Sequence, residues 1–254
     1  MQNGFEKHGI DHSSASSINM FSNAPCAWVA KYLFNHKLSF GMAARAGTLA
    51  EEAVVNVIAN GWTEESAIDA AVKAYNKASS LVATDADIKR GKAIPGMISA
   101  ALEELSQYGE PEFDGGVTGK QQKKIEIACN GDGWRLPLIG YLDFHFPKHG
   151  IVVDLKTTSR MPSVMSDEHT RQGALYRAAM GNQAVKFLYV TGKKASWFDI
   201  PDPAPILAEI KTILNRQERL LRHDAETIRD MVPVISGSFY WSGDSDLRKS
   251  IYGI

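Results

Sequence analysis

Asp154 and Lys156 stand two apart in the run Ile151-Val152-Val153-Asp154-Leu155-Lys156-Thr157-Thr158. Residues two apart on a strand emerge on the same face, so a carboxylate and an ammonium share one surface. Asp143 closes the segment Gly140-Tyr141-Leu142-Asp143, near the end of the preceding strand. A turn at residues 148–150 that pairs the two strands brings Asp143 beside Asp154. Close carboxylates cost free energy unless something cationic stands between them. A hard divalent ion with oxygen ligands, Mg²⁺ with Mn²⁺ as a substitute, is the expected occupant. The backbone carbonyl of Leu155 is a further candidate ligand. Such an ion polarises a phosphoryl oxygen and lowers the pKa of a bound water, while Lys156 orients that water or offsets charge on phosphorus. Alone, an Asp-x-Lys triplet is more often a surface ion pair. Here Gln172 and Tyr176 follow, four apart on one face of the next helix, where a Gln amide could hold a base, a phosphate or a water.

These residues need elements to carry them. The first 110 residues read as helices. Ser14, Ser16 and Ser17 offer a cap before Ile18, and Pro25 suits the first turn of a second helix with Trp28 and Tyr32. Residues 43–60 are Ala-rich and stop at Gly61. Thr63 caps a helix running to about Ser79, and another covers about 95–107. Residues 121–129 and 136–146 then alternate around Asn130-Gly131-Asp132-Gly133, a hairpin pattern. A third strand spans 151–157, a helix 166–180, and a second hairpin 184–190 and 195–200. Residues 206–230 read as one long amphipathic helix with Ile210, Ile213, Leu214, Leu220 and Leu221 inward. The tail from Pro233 is not assigned. This order is α+β or mixed α/β.

Gly140-x-x-Asp143, the strand with Asp154-x-Lys156, and Gln172-x-x-x-Tyr176 together resemble the PD-(D/E)XK nuclease superfamily. Within it they are similar to the RecB-like branch, which includes phage recombination exonucleases and CRISPR-adaptation nucleases. Gly47-Thr48-Leu49-Ala50-Glu51 resembles that branch's N-terminal Gly-Thr-x-x-His or Gly-Thr-x-x-Glu element, with Glu51 at the ligand position. The Ser-rich start from His12 to Ile18, then Pro25 and Trp28, is also similar, so the likeness touches residues 12–180. Ala46 departs from it, since an Arg often precedes the motif glycine and here Arg45 comes one position early. Several relatives hold an iron–sulfur cluster on four cysteines; this chain has only Cys26 and Cys129, so no such cluster is expected.

The resemblance implies a restriction-endonuclease-like mixed β-sheet core flanked by helices. It would form one nuclease domain: residues 1–110 mostly helical and carrying Glu51, 118–232 the catalytic core, 233–254 a tail. It implies a Mg²⁺-dependent deoxyribonuclease that hydrolyses phosphodiester bonds, an exonuclease first, in phage-type recombination or DNA repair. Glu51, Asp143, Asp154 and the Leu155 carbonyl would bind metal, Lys156 would assist the nucleophile, and Gln172 and Tyr176 would support the site. A single-strand annealing protein is the implied partner. A nicking or structure-specific endonuclease on the same core, and a silent DNA-binding scaffold, are the alternatives. On the helix, Ala44, Thr48, Val55 and Ile58 mark a less polar flank that includes Glu51, while Glu52 lines up with Asn56 toward solvent.

Composition narrows the field. Of 254 residues 44% are apolar, enough for a core, and 28 Lys and Arg meet 29 Asp and Glu. A near-neutral chain does not coat nucleic acid by bulk charge, although a local groove is allowed. Candidate phosphate contacts are Lys89, Arg90 and Lys92; Lys120, Lys123 and Lys124; Lys193 and Lys194; and Arg216, Arg219 and Arg222, each more often a solvated face. Trp28, Tyr32, Trp62, Trp134, Trp197 and Trp241 are candidates to stack on bases, though most such rings are core. Two cysteines without a CxxC exclude a disulfide framework. The paired histidines His8/His12 and His145/His149 flank Gly9 and Pro147 and do not read as metal ligands. Gly119-Lys120 and Gly192-Lys193 lack the rest of a P-loop. No run reaches the ~18 apolar residues of a membrane span, and residues 1–17 lack a secretory core. A cytoplasmic protein, in a host cytoplasm if phage-encoded, is expected, and an oligomer is compatible with a sequence that reports none.

Overall fold

The computed structural model of the protein describes residues 3–39, 41–80, 83–114, 122–128, 134–181 and 183–253. Short α1 (Gly4–Lys7) precedes α2 (Ala15–Asn23), where the Ser14 hydroxyl accepts the Ser17 amide and closes the helix start. Pro25 opens α3 (Pro25–Tyr32), where its missing N–H leaves no bond unmade. α4 (Met42–Asn60) ends at Gly61, which takes the left-handed conformation (φ 69°) that glycine reaches without strain. Thr63 caps α5 (Glu64–Ser79). α6 (Asp85–Leu105) begins well before Pro95, contrary to the sequence expectation. A reciprocal Thr84–Asp87 capping box starts it, and burial of Ile94, Met97 and Ile98 carries it through the proline.

β1 (Lys123–Ile127) and β2 (Leu138–Leu142) form an antiparallel pair, Lys123 facing Leu142. The Asn130–Gly133 turn, Gln121, Cys129 and Lys120 lie outside the described residues. The strand expected over 136–146 is two strands. β2 ends at Leu142, and β3 (Phe144–Phe146) joins a second sheet, ordered β3, β4 (Ile151–Thr157), β5 (Ala184–Val190), β6 (Ala195–Asp199). β4 and β5 run parallel, with α7 (Asp167–Met180) as the crossover; the other pairs are antiparallel.

One face of this sheet, with Phe144, Phe146, Val153, Leu155, Leu188 and Val190, packs under α4, α5 and α6. The opposite face, with Val152, Phe187 and Tyr189, meets Tyr176 of α7. A third core gathers Ile18, Trp28, Ile210, Leu214 and Trp241. The long C-terminal helix is broken: α8 (Pro203–Leu220) gives way to α9 (Ala225–Met231), because Asp224 turns out to accept the Thr227 amide as a new cap. The tail holds a turn at Phe239–Trp241 and α10 (Ser245–Tyr252). No helix among the described residues is long and apolar enough to cross a membrane.

Candidate active site

The break at Asp143 creates the site. β3 pairs with only the first half of β4, Phe144 lying opposite Val153. Beyond that point β4 loses its neighbour on this side, and Asp143 fills the gap: its Oδ2 accepts the Leu155 N–H at 2.9 Å. The N–H and C=O of one strand residue point to the same side, so the Leu155 carbonyl faces this edge too. Asp154 is fully buried on the neighbouring position, and its Oδ1 lies 2.5 Å from Lys156 Nζ. The shared face expected for Asp154 and Lys156 is therefore occupied by an ion pair. Lys156 Nζ also sits 5.4 Å from the Phe187 ring centroid, and Phe187 lies opposite Asp154 on β5.

α7 supplies the other wall. Gln172 Nε2 donates to Asp154 Oδ2 at 2.7 Å and to Tyr176 Oη at 2.9 Å, and the Tyr176 hydroxyl donates to the Tyr141 carbonyl at 2.7 Å. Gly140 lets that ring pass: a Cβ there would stand 2.8 Å from Tyr176 Cε1.

α4 brings Glu51 from the opposite layer, past the edge that short β3 leaves open. Gln122 Nε2 donates to Glu51 Oε1 at 2.7 Å and to Asp143 Oδ1 at 2.8 Å, tying the two carboxylates together. The buried stripe of α4 is Ala46, Leu49, Ala50, Ala53 and Val54. The flank of Ala44, Thr48, Val55 and Ile58 is only half-buried. Small side chains win the inward position because α4 must lie close to β4; at Gly47 a Cβ would come 2.9 Å from Thr157 Oγ1. Glu51 borders the stripe half-buried, and Glu52 is exposed.

The charges do not balance. Burial pushes the Asp143 carboxyl well above its usual range, and the Asp154 and Glu51 carboxylates push it further, against the Lys156 ammonium and the Leu155 amide. Burial also raises Asp154, with Lys156 opposing. Burial works to lower Lys156, but Asp154 and Asp143 outweigh it and the ammonium is held more firmly. Three carboxylates thus face one ammonium in a place short of water. Hard oxygen donors with surplus negative charge match Mg²⁺ or Mn²⁺. Apart from Lys156, Asp154 Oδ1 has no partner among the described residues. No three His, Cys, Asp or Glu side chains among those residues already converge on one point: the Gln122 amide stands between Glu51 and Asp143.

Sequence reasoning missed Gln122, although extending the β1–β2 register by one residue places it opposite Asp143. It also missed His169, which precedes Gln172 by one turn of α7. His169 Nδ1 bonds the Tyr189 hydroxyl, and its ring stacks on Phe187 at 5.8 Å. Burial, with the nearby Lys156 charge, drops this imidazole to about 3, so it is neutral. A stripe at positions 169, 172 and 176 was the available signal.

Most candidate stacking rings are committed elsewhere. Trp28 and Trp241 are buried, Tyr32 stacks on Trp28 at 5.2 Å, Lys211 covers Trp134 at 4.7 Å, and Trp197 donates to Glu104 at 2.6 Å. Trp62 is exposed. Among the cations, Arg90, Lys123, Lys124 and Arg222 pair with Asp87, Glu112, Glu126 and Glu218.

The family model of the PD-(D/E)XK nuclease superfamily matches residues 12–238. The chain belongs to the PD-(D/E)XK nuclease superfamily. That membership covers both sheets, every helix from α2 to α9 and all the site residues above. No curated protein matches the chain. A crystal structure of SSO0001 is similar at 21% identity over 58% of this chain and 72% of that one, with a TM-score of 0.34. Nucleases of this superfamily generally use divalent metals, typically Mg²⁺, and the oxygen-rich, electron-surplus centre of this chain suits one.

Proposed function

We propose that the protein is a Mg²⁺-dependent DNA exonuclease of the RecB-like branch, its chain acting as one nuclease domain. The observation that carries the reading is the gathering of Glu51, Asp143, Asp154 and Lys156 at the open half of β4. Glu51, Asp143, Asp154 and the Leu155 carbonyl would hold the metal, with the Gln122 amide turning aside. When bound, the ion supplies Lewis acidity toward the scissile phosphate and its attacking water.

The chain's own residues do the rest. Lys156 keeps its proton, because two carboxylates face it, so it orients the water as a donor and offsets charge that builds on the phosphoryl oxygens. Gln172 fixes Asp154 while Tyr176 anchors Gln172 to the Tyr141 backbone. Burial keeps the Tyr176 phenol well above its usual range, with the Asp154 and Asp143 charges adding to the effect, so it stays protonated and acts as a positioning donor. The leaving 3′- or 5′-oxygen takes its proton from solvent at the open edge.

Incubation with linear and with covalently closed circular DNA, each with Mg²⁺ and with EDTA, tests this. Degradation of the linear form alone, abolished by EDTA, is the expected result. Cutting of the closed circle makes the enzyme an endonuclease on the same core. Binding without cutting of either leaves a silent scaffold. An exonuclease of this branch would work beside a single-strand annealing protein in recombination or repair, which co-purification tests.

A further inference from the structure

Beyond Lys156 a cleft of about 580 Å³ opens between α4, α6 and the chain leaving β4. Small residues floor it: Ala43 and Ala46 of α4, Ala93 of α6, and Gly192 in the β5–β6 turn. A Cβ on Gly192 would already press on Ala93 at 3.0 Å, so the two walls meet at backbone distance. Lys89, Arg90 and Arg160 stand on the rim with the hydroxyls of Thr157, Thr158 and Ser159. No carboxylate is among the described residues that line it. Arg90 is held by Asp87 at 2.6 Å. Lys89 and Arg160 are exposed and make no ion pair among the described residues. α4 begins at the cleft on Gly41, which has no side chain to cap it, so the positive end of the helix dipole adds to the cationic rim.

The opposite side of the centre differs in kind. A smaller cavity of about 270 Å³ there is lined by His12, Asp143, Tyr141, Gln172 and Tyr176 among others, and by no Lys or Arg among the described residues. Among the described residues, the cationic rim therefore lies on the side of the larger cleft. Thr157 and Thr158 directly follow Lys156, so at ~3.3 Å per residue the cleft begins about 3–7 Å further along the backbone than that residue. That is the reach of the next one or two phosphates of a strand, which rise ~3.4 Å per nucleotide in a duplex.

We propose that this cleft binds the sugar–phosphate backbone of the cut DNA strand, with Lys89 and Arg160 contacting the phosphates adjoining the scissile one. The proposal rests on the nuclease reading and adds to it the path of the substrate. Small floor residues admit a backbone, and the cationic rim with hydroxyls reads phosphate without reading sequence.

The test is the full chain carrying Lys89→Ala and Arg160→Ala together, both exposed and outside the chemistry. Affinity for a fluorescein-labelled duplex is measured against salt in Ca²⁺, and cleavage in Mg²⁺ at limiting DNA. Losing two duplex phosphate contacts should flatten the slope of log affinity against log salt by about 1.8, or by about 1.4 on a single strand. Cleavage at limiting DNA should fall in step with the affinity. The pair Arg216→Ala and Arg219→Ala on α8 should leave the slope unchanged. A wild-type enzyme that cuts DNA, with an unaltered slope in the Lys89/Arg160 variant, overturns the cleft alone. A wild-type chain that neither binds nor cuts DNA overturns the nuclease reading and the cleft together.

Discussion

Around Cys26 the protein holds three polar ring groups, Trp28 and Trp241 buried and Tyr252 half-buried, and gives each a neutral partner. Trp28 Nε1 donates to Ser17 Oγ at 2.9 Å, Trp241 Nε1 to Cys26 Sγ at 3.4 Å, and the Tyr252 hydroxyl to the Cys26 carbonyl at 2.8 Å. Around Asp154 it buries carboxylates and supplies one ammonium and two Gln amides. Satisfied neutral pairs need nothing further and hold the fold. Surplus buried charge opposes the fold, and an outside cation would offset it. Under the proposed function, the contrast separates residues that keep the chain folded from those that cost stability for chemistry.

Asp154→Asn should give the largest effect. Cleavage should fall roughly a thousandfold, about 4 kcal/mol of barrier, while the cation-free thermal midpoint holds or rises, since Asp143 loses a repelling neighbour. Steady-state rates and a melting curve check both. Trp28→Ala should do the opposite: a loss of about 3 kcal/mol or more in urea unfolding, from a cavity at a fully buried site, with kcat per folded molecule retained. Equal damage to both properties in either variant would break the comparison.

Gly140→Ala sharpens it by touching both at once. A Cβ 2.8 Å from Tyr176 Cε1 and 3.2 Å from Ile125 must move a buried ring, costing about 1–3 kcal/mol of stability. It should also loosen Gln172 on Asp154, read as a lower kcat at unchanged KM. Glu51→Gln should lower activity about tenfold, about 1.4 kcal/mol, and raise the Mg²⁺ requirement, while exposed Glu52→Gln leaves both unchanged.

The smallest effect is a pH dependence. The Asp143 and Asp154 carboxyls are raised by burial, so they bind protons more tightly folded than unfolded. Cation-free stability is then highest at acid pH and falls as pH climbs from about 4 through the raised values. Mg²⁺ should lift the melting temperature by a few degrees at neutral pH and hardly at all at pH 4. A cation-free midpoint that instead climbs with pH over this range counts against surplus charge at the centre.

Much of this was legible where the signal is local. The Ser14 and Thr63 caps, the Gly61 stop and the two-residue spacing of Asp154 and Lys156 follow from neighbours in the chain. The break at Asp143 was not, because apolar alternation runs on through Leu142, Phe144 and Phe146. What ends β2 is the Leu155 amide, a partner on another strand. Gln122 needed the register of β1 on β2, which apolar alternation alone does not set. α6 ran against the rule that proline stops helices, because its cap lies far upstream of Pro95. The inward face of α4 was misplaced because bulk marked the flank, whereas close approach to β4 selected alanine.

The parallel pairing of β4 with β5 has a consequence for synthesis. Parallel neighbours cannot be joined by a tight turn, so α7 must be made and docked before β5 can take its place. The centre draws Glu51, Gln122, Asp143, Asp154 and Gln172 from five separate stretches, and the bonds that join these stretches each bridge a dozen residues or more. A chain still emerging from the ribosome holds carboxylates but no assembled centre until the crossover has left the exit tunnel. Hydrolytic capacity therefore arrives late and all at once, with the finished sheet.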